Sequence, residues 1–191
     1  MTSLALINTR VKSRILVFLL LWSVSSHAQQ KFVTEKGEIS FASNAQLEMI
    51  KATSNELRGI IDPATNQFAF RVNVRTFQGF NSTLQREHFN ESYLESEKVP
   101  VASFSGKIIE KVDFETDGVY EVRAKGDLDI HGQKQNRIIK SKVTIKNGTV
   151  GVDAFFIVPL SDHNISIPRI VNQKIATEIE VTIKALLTSK P

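Results

Sequence analysis

The sequence of 191 residues contains no cysteine. This absence excludes disulfide bonds, thiolate nucleophiles and cysteine-based metal sites. It also excludes anchoring through a lipid-modified cysteine of the kind that bacterial lipoproteins carry. A domain formed by this chain must therefore be stabilised by its packed core.

The N-terminal apolar stretch is too short to span a membrane. It runs from Ile15 to Val24, about ten residues, whereas ~20 are needed to cross ~30 Å of hydrocarbon. Three basic residues precede it: Arg10, Lys12 and Arg14. Small residues follow at Ser26 and Ala28, the spacing that signal peptidase requires. Residues 1–28 are therefore predicted to be a signal peptide that is cleaved before Gln29.

Little net positive charge remains once this segment is removed. The whole chain carries a formal charge of +4, and residues 1–28 contain three basic and no acidic residues, which leaves +1 for residues 29–191. No cluster of Lys and Arg and no stripe of basic and aromatic residues remains there. The sequence thus lacks the electrostatic footprint of a nucleic-acid-binding protein. Cleavage leaves no membrane-spanning segment and predicts a periplasmic or secreted location.

Apolar and polar residues alternate through most of residues 29–191, a pattern typical of half-buried β-strands. In the clearest example, Phe68, Phe70 and Val72 alternate with polar or small neighbours. Eight such runs lie around residues 39–43, 57–61, 68–74, 102–108, 120–130, 139–145, 150–158 and 175–187.

Turn-forming residues separate these runs. A Pro/Asn turn is predicted at residues 62–66, hairpin turns are predicted at Asp117-Gly118 and Asn147-Gly148, and His131-Gly132 ends the longest run. The absence of βαβ spacing favours an antiparallel sheet that closes on itself. The sequence thus predicts an all-β fold, an eight-stranded antiparallel barrel. Its interior is either filled by side chains or holds one small ligand.

Two stretches depart from the alternation. Residues 47–52 have apolar residues at a spacing that favours a short helix after the first strand. Residues 78–96 are richer in helix formers, and Leu84, His88 and Phe89 there are spaced to share one helical face. We expect this second stretch to be a helix-bearing connection that lies over the sheet.

Several segments of the chain, in their order and spacing, resemble the YceI-like family, and most of all its exported members from Bacteroidetes-type bacteria. One segment is Gly126-Asp127-Leu128-Asp129-Ile130-His131-Gly132, which is similar to the family's strand that ends in an apolar-His/Arg-Gly turn. The other segments are residues 37–43, 85–96, 99–106 and 156–165. Together they extend the resemblance from about residue 36 to 187, so residues 29–191 are expected to form one YceI-like domain.

The resemblance implies a lipocalin-like barrel with a short helical segment over one end, which binds a polyisoprenoid or fatty-chain lipid in its interior. The chain differs from the founding members at residues 43–45 and 85–88, which predicts a different head group or none. A head group is expected to meet Arg86, His88 or His131. The predicted ligand-binding residues are Phe41, Phe70, Val72, Leu84, His88, Phe89, Phe104, Leu128, Ile130 and Phe156.

Catalytic motifs are missing from the sequence. No His-x-x-x-His, Glu-x-x-His or Gly-x-Ser-x-Gly spacing occurs. A metal-dependent hydrolase would need at least two of His88, His131 and His163 to meet at a common point, whereas a hydrogen bond at a turn is the expected role of each. The predicted function is therefore non-enzymatic, with no catalytic residue, metal or cofactor.

The alternative left open is a solid-cored interaction or stress-response module that binds a partner through residues 78–96. A filled core and a ligand cavity produce the same alternation, so the pattern alone does not separate them. Isolated eight-stranded barrels can be monomeric, but some relatives of such folds form dimers. We therefore expect a homodimer.

Overall fold

Period-two alternation builds eight strands, because successive side chains of a strand point to opposite faces of the sheet. The computed structural model describes residues 30–190, and the predicted signal peptide lies outside them. The strands are β1 (Lys31–Asn44), β2 (Met49–Asp62), β3 (Gln67–Asn73), β4 (Val101–Ile108), β5 (Gly118–Ile130), β6 (Gln133–Lys146), β7 (Thr149–Pro159) and β8 (Glu178–Lys190).

The strands form one closed antiparallel barrel. Each strand pairs with its neighbour in sequence, and β8 returns to pair with β1, for example through Phe41 and Val181. Pairing of β8 with β1 closes the sheet into a ring. The predicted eight-stranded antiparallel barrel is confirmed.

Two tight hairpin turns connect the long strands β5, β6 and β7. His131-Gly132 joins β5 to β6, and Asn147-Gly148 joins β6 to β7. The φ angles are 54° and 71° in the first turn and 49° and 70° in the second. Two consecutive positive φ angles match the twist of the flanking strands, and Asn and Gly tolerate them best. The predicted Asn147-Gly148 hairpin is confirmed.

Strand β2 is longer than predicted, and the short helix predicted at residues 47–52 is wrong. Ala45 and Glu48 close a tight turn through a backbone hydrogen bond of 3.0 Å, and β2 begins directly after it. The inward positions of β2 include Ser54 and Gly59, both buried. Ser54 precedes the predicted run 57–61 and contributes no apolar side chain, so the alternation there could not be recognised from hydrophobicity.

The hairpin predicted at Asp117-Gly118 is also wrong. Strands β4 and β5 are instead joined by residues 109–117, which fold back over one end of the barrel. Val112 and Phe114 of this segment are buried, and the Phe114 ring stacks on Phe32 with centroids 5.9 Å apart. Burial of these two side chains draws the segment across the barrel end.

The last strand begins later than the predicted residue 175. Residues 160–177 form a connection with 3₁₀ turns at Leu160–His163 and Arg169–Val171, and β8 starts at Glu178. The N–H of Ile175 donates to the Val171 carbonyl at 3.1 Å. This helical type of hydrogen bond removes Ile175 from the strand pairing.

The end of the barrel closed by residues 109–117 is filled with side chains. Its innermost residues are almost completely buried: Ile61, Ile145, Val150 and Leu187. Close packing of this kind supplies most of the stability of a small domain. The close packing that stabilises the barrel therefore lies mainly at this end.

The predicted helix-bearing connection covers the other end. It contains helix α1 (Thr83–His88), which continues directly into a π-helical turn, Phe89–Tyr93. A short β-bridge between Thr53 and Gln78 fixes its beginning to β2. Within residues 30–190 no helix has the length and apolar character required to cross a bilayer.

Candidate ligand-binding cavity

The half of the barrel next to α1 is hollow and contains a cavity of about 510 Å³. Inward-facing side chains of the strands, one side of α1 and part of the β7–β8 connection form its wall. Small-molecule sites commonly have volumes of about 300–1,000 Å³. The exposed residues Leu84 and Lys174 border the cavity, so it opens to solvent beside α1.

All ten residues predicted to bind a ligand lie on the wall of this one cavity. Their role in binding stays a prediction. Seven come from strands and three from α1 and the π-helical turn: Phe41, Phe70, Val72, Phe104, Leu128, Ile130 and Phe156, and Leu84, His88 and Phe89.

Phenylalanine side chains from opposite sides of the barrel form the floor of the cavity. Phe70 on β3, Phe104 on β4 and Phe156 on β7 border both the cavity and a smaller void of about 40 Å³ deeper in the barrel. Gly59 makes room for this floor, because a Cβ atom at that position would lie only 2.2 Å from the Phe70 ring. The depth of the cavity is thus set by aromatic rings.

A second group of four phenylalanines forms the wall below α1. The Phe41 ring stacks on Phe89 with centroids 5.2 Å apart, and Phe77 and Phe80 pack against both at 5.1–5.9 Å. Aromatic pairs at these distances contribute about 0.5–1.5 kcal/mol each beyond the area they bury. The cluster therefore attaches the helical connection to strand β1.

Polar contacts hold the N-terminus of α1 against the β1–β2 turn. Ser82 caps the helix by accepting a hydrogen bond from the Gln85 N–H at 3.2 Å. The Gln85 side chain donates to Glu48 on the turn at 2.6 Å, and Asn81 donates to the same carboxylate oxygen at 3.2 Å. One side of the cavity opening is fixed by these contacts.

Polar side chains are a minority on the cavity wall. The buried Ser43 hydroxyl accepts a hydrogen bond from the Ala176 N–H at 2.8 Å, which ties the β7–β8 connection to β1. Burial raises the pKa of the Tyr93 phenol, so this group stays neutral. His88 and Lys174 border the opening itself.

Two of the three residues expected to meet a head group do not border the cavity. Arg86 points away and donates to the Arg75 carbonyl at 3.3 Å. His131 lies 3.0 Å from Glu95 through Nε2 and 3.0 Å from the His163 carbonyl through Nδ1. Both residues are engaged in holding segments of the chain together, and only His88 of the three faces the opening.

The predicted hydrogen-bonding role of His131 at its turn is thereby confirmed. The fully buried His163 also bonds to a neighbouring hairpin, since its Nδ1 lies 3.0 Å from the Gln133 carbonyl. In the part of the chain that the structure describes, no group of three or more His, Cys, Asp or Glu side chains is placed to hold a metal ion.

Sequence reasoning missed the part of the cavity wall that comes from connections. Phe77 and Phe80 follow β3 in a segment that is neither helix nor regular strand, so no periodic pattern marks them. Val171 and Ile175 in the β7–β8 connection also border the cavity, and their i, i+4 spacing indicated a helical turn. Period-two alternation does not identify residues of this kind.

Comparison with known proteins gives one family and several structures. The model of the YceI-like domain matches residues 23–187. The sequence matches no curated protein. Among solved structures, BcnA of Burkholderia cenocepacia is 15% identical, with a TM-score of 0.65, and the match covers 80% of this chain and 96% of that one.

Two further structures have the same fold. A polyisoprenoid binding domain from Saccharophagus degradans implicated in plant cell wall breakdown is 13% identical, with a TM-score of 0.68 and coverage of 84% of this chain and 98% of that one. The YCEI protein of Campylobacter jejuni is 15% identical, with a TM-score of 0.58 and coverage of 78% and 89%. At such identities the likeness shows the fold.

Proposed function

The chain belongs to the YceI-like domain family, and we propose that it is an exported binding protein that holds one polyisoprenoid or fatty-chain lipid inside its barrel. The observation that carries the proposal is the apolar cavity of about 510 Å³ beside α1. A barrel that needed only a core would be more stable if this space were filled, because internal voids cost packing energy. A hollow half therefore favours a bound occupant over the solid-cored alternative.

The chemistry of the wall favours an apolar chain. Aliphatic and phenylalanine side chains form most of it. Each CH₂ group removed from water contributes about 0.8 kcal/mol, so ten buried carbons contribute about 8 kcal/mol before the cost of association. Binding of a long chain therefore needs few polar contacts. The related domain from Saccharophagus degradans, described as polyisoprenoid binding, supports this ligand class.

A head group at the opening would meet His88 on α1 and Lys174 on the β7–β8 connection. Both can donate hydrogen bonds to a phosphate or carboxylate oxygen. Binding rather than catalysis is proposed because most of the wall consists of aliphatic and phenylalanine side chains, which cannot exchange protons with a substrate. The predicted signal peptide supports a periplasmic or secreted location.

Native mass spectrometry of the protein purified from its own host tests the proposal. We expect one lipid chain per barrel, identified after extraction. Ala102 lies on the cavity wall, and Ala102→Trp is expected to reduce lipid occupancy because the indole ring fills the space. Ala69→Trp is the matched control, since Ala69 faces solvent on the adjacent strand β3.

Two results would contradict the proposal. The first is protein that carries no lipid when it is purified from its host. The second is equal lipid occupancy in the Ala102→Trp and Ala69→Trp variants, because a ligand unaffected by filling the cavity is bound elsewhere.

A further inference from the structure

The rim of the cavity exposes aliphatic side chains, and we propose that this rim docks on the surface of an anionic lipid bilayer. The rim consists of the β1–β2 turn (residues 45–48), helix α1 and residues 168–175 of the β7–β8 connection. This inference rests on the proposed function, because a bilayer is the place where a lipid chain enters or leaves the barrel.

Hydrogen bonds join the three parts of the rim into one surface. The Leu47 N–H donates to the Gln173 carbonyl at 2.9 Å and links the turn to the β7–β8 connection. Gln85 donates to Glu48 at 2.6 Å and links the turn to α1. Each part also contributes side chains to the cavity wall. The three segments therefore surround one opening.

Every part of the rim carries an aliphatic side chain in solvent. Ile170 is 92% exposed, the highest value among the large hydrophobic residues that the structure describes. Leu47 is 64% exposed and Leu84 is 58% exposed. Single exposed hydrophobic residues are common, whereas several around one opening indicate a binding surface. Insertion of such side chains into the boundary between head groups and acyl chains is the usual mode of interfacial binding.

The charge of the rim identifies the kind of bilayer. The rim contains three basic residues, Arg86, Arg169 and Lys174, and two acidic residues, Glu48 and Glu87, which gives a formal net charge of +1. The basic excess lies in residues 168–175, which include the exposed Arg169 and Lys174 and no acidic residue. Basic residues next to an exposed aliphatic tip complement anionic lipid head groups. Glu48, the acidic residue of the β1–β2 turn, is engaged by amide side chains.

Docking at this surface would also give the ligand a route between barrel and bilayer that avoids water. Each carbon that leaves the cavity through water loses its apolar surroundings, and the penalty grows with chain length. An opening pressed against the bilayer lets the chain pass directly between two apolar phases. The positions of Leu47 and Ile170 beside the opening fit this route.

Vesicle flotation tests the inference with the chain from Gln29, which contains all eight strands. The vesicles consist of phosphatidylcholine, alone or mixed with phosphatidylglycerol. The double variant Leu47→Asn/Ile170→Asn changes no residue that borders the cavity. We expect its partition onto the mixed vesicles to fall about a hundredfold, since each lost aliphatic contact costs about tenfold, or about 1.4 kcal/mol.

Val119→Asn/Leu186→Asn is the matched control. These residues are 64% and 62% exposed, and they lie near the filled end of the barrel. We expect the control to float like the unchanged protein, and binding to be weaker on phosphatidylcholine alone. Equal flotation of the two double variants, or no binding of the unchanged protein to the mixed vesicles, overturns the inference.

Native mass spectrometry on the same samples separates this inference from the proposed function. Lipid-loaded protein whose flotation is insensitive to the rim residues overturns the docking surface and supports the carrier. Empty protein whose flotation depends on Leu47 and Ile170 overturns the carrier and supports the docking surface.

Discussion

Replacing Phe156 with alanine is expected to lengthen the lipid chain that the barrel is proposed to hold. Phe156 borders both the cavity of about 510 Å³ and the deeper void of about 40 Å³. Removal of its ring joins the two spaces at the floor. The cavity then extends towards the filled half of the barrel.

The size of the effect follows from the atoms removed. Phe→Ala deletes six side-chain carbons, space for about one further isoprene unit, and five extra buried carbons contribute about 4 kcal/mol at ~0.8 kcal/mol per CH₂. Truncation of a buried phenylalanine typically costs about 3–5 kcal/mol. Phe156 is only half-buried and already borders voids. We therefore expect the empty variant to lose about 2–3 kcal/mol of unfolding free energy.

Competition between prenols that differ by one isoprene unit, followed by native mass spectrometry, measures the preferred length. Phe41→Ala is the matched control, because it removes the same ring from the wall below α1 rather than from the floor. We expect Phe156→Ala to shift the preference by about one unit and Phe41→Ala to leave the longest bound chain unchanged. The same length preference in folded Phe156→Ala and in the unchanged protein would refute the assignment of Phe156 to the floor.

Two further predictions concern stability. Gly59→Ala places a Cβ atom 2.2 Å from the Phe70 ring, so we expect a loss of about 1–3 kcal/mol in urea unfolding. Gly151→Ala, whose nearest atom lies at 3.6 Å, should cost less, and equal losses would contradict the packing argument. The Lys98 ammonium beside Glu95 lowers the pKa of that carboxyl, so its contribution is present above the ordinary value of 4.5 and is lost as the pH falls below it. Urea midpoints should therefore fall less on acidification in Glu95→Gln than in the unchanged protein, and an identical decline would exclude this linkage.

Most strand positions and the part of the cavity wall that the strands form could be predicted, because both follow from side-chain alternation. Phe70 and Val72 on β3 and Phe104 on β4 point inward once the strands pair antiparallel, whatever the register of distant strands. Alternation does not indicate whether the space enclosed by the strands is filled or empty. The choice between a filled and a hollow interior depends on how rings from β3, β4 and β7 meet across the barrel, and that requires coordinates.

Other features depend on interactions that no local pattern contains. The predicted strand covers only residues 57–61 of β2, because the earlier inward position Ser54 is small and polar. Gly59 within that run is small because the Phe70 ring lies over it. Arg86 and His131 were expected at a head group because of their charge and polarity. Hydrogen bonds to the Arg75 carbonyl and to Glu95 hold them elsewhere.

The division of the barrel into a filled half and a hollow half separates stability from binding. The almost completely buried Ile61, Val150 and Leu187 lie in the filled half, and none of them borders the large cavity. On the proposed function, substitutions on the cavity wall are expected to change the ligand at a limited cost to the fold. The rim is also held in place by a contact of its own, since the Ser43 hydroxyl positions the β7–β8 connection by accepting a hydrogen bond from the Ala176 N–H. On the proposed function, we expect the floor to set the length of the ligand and the rim to control access to it.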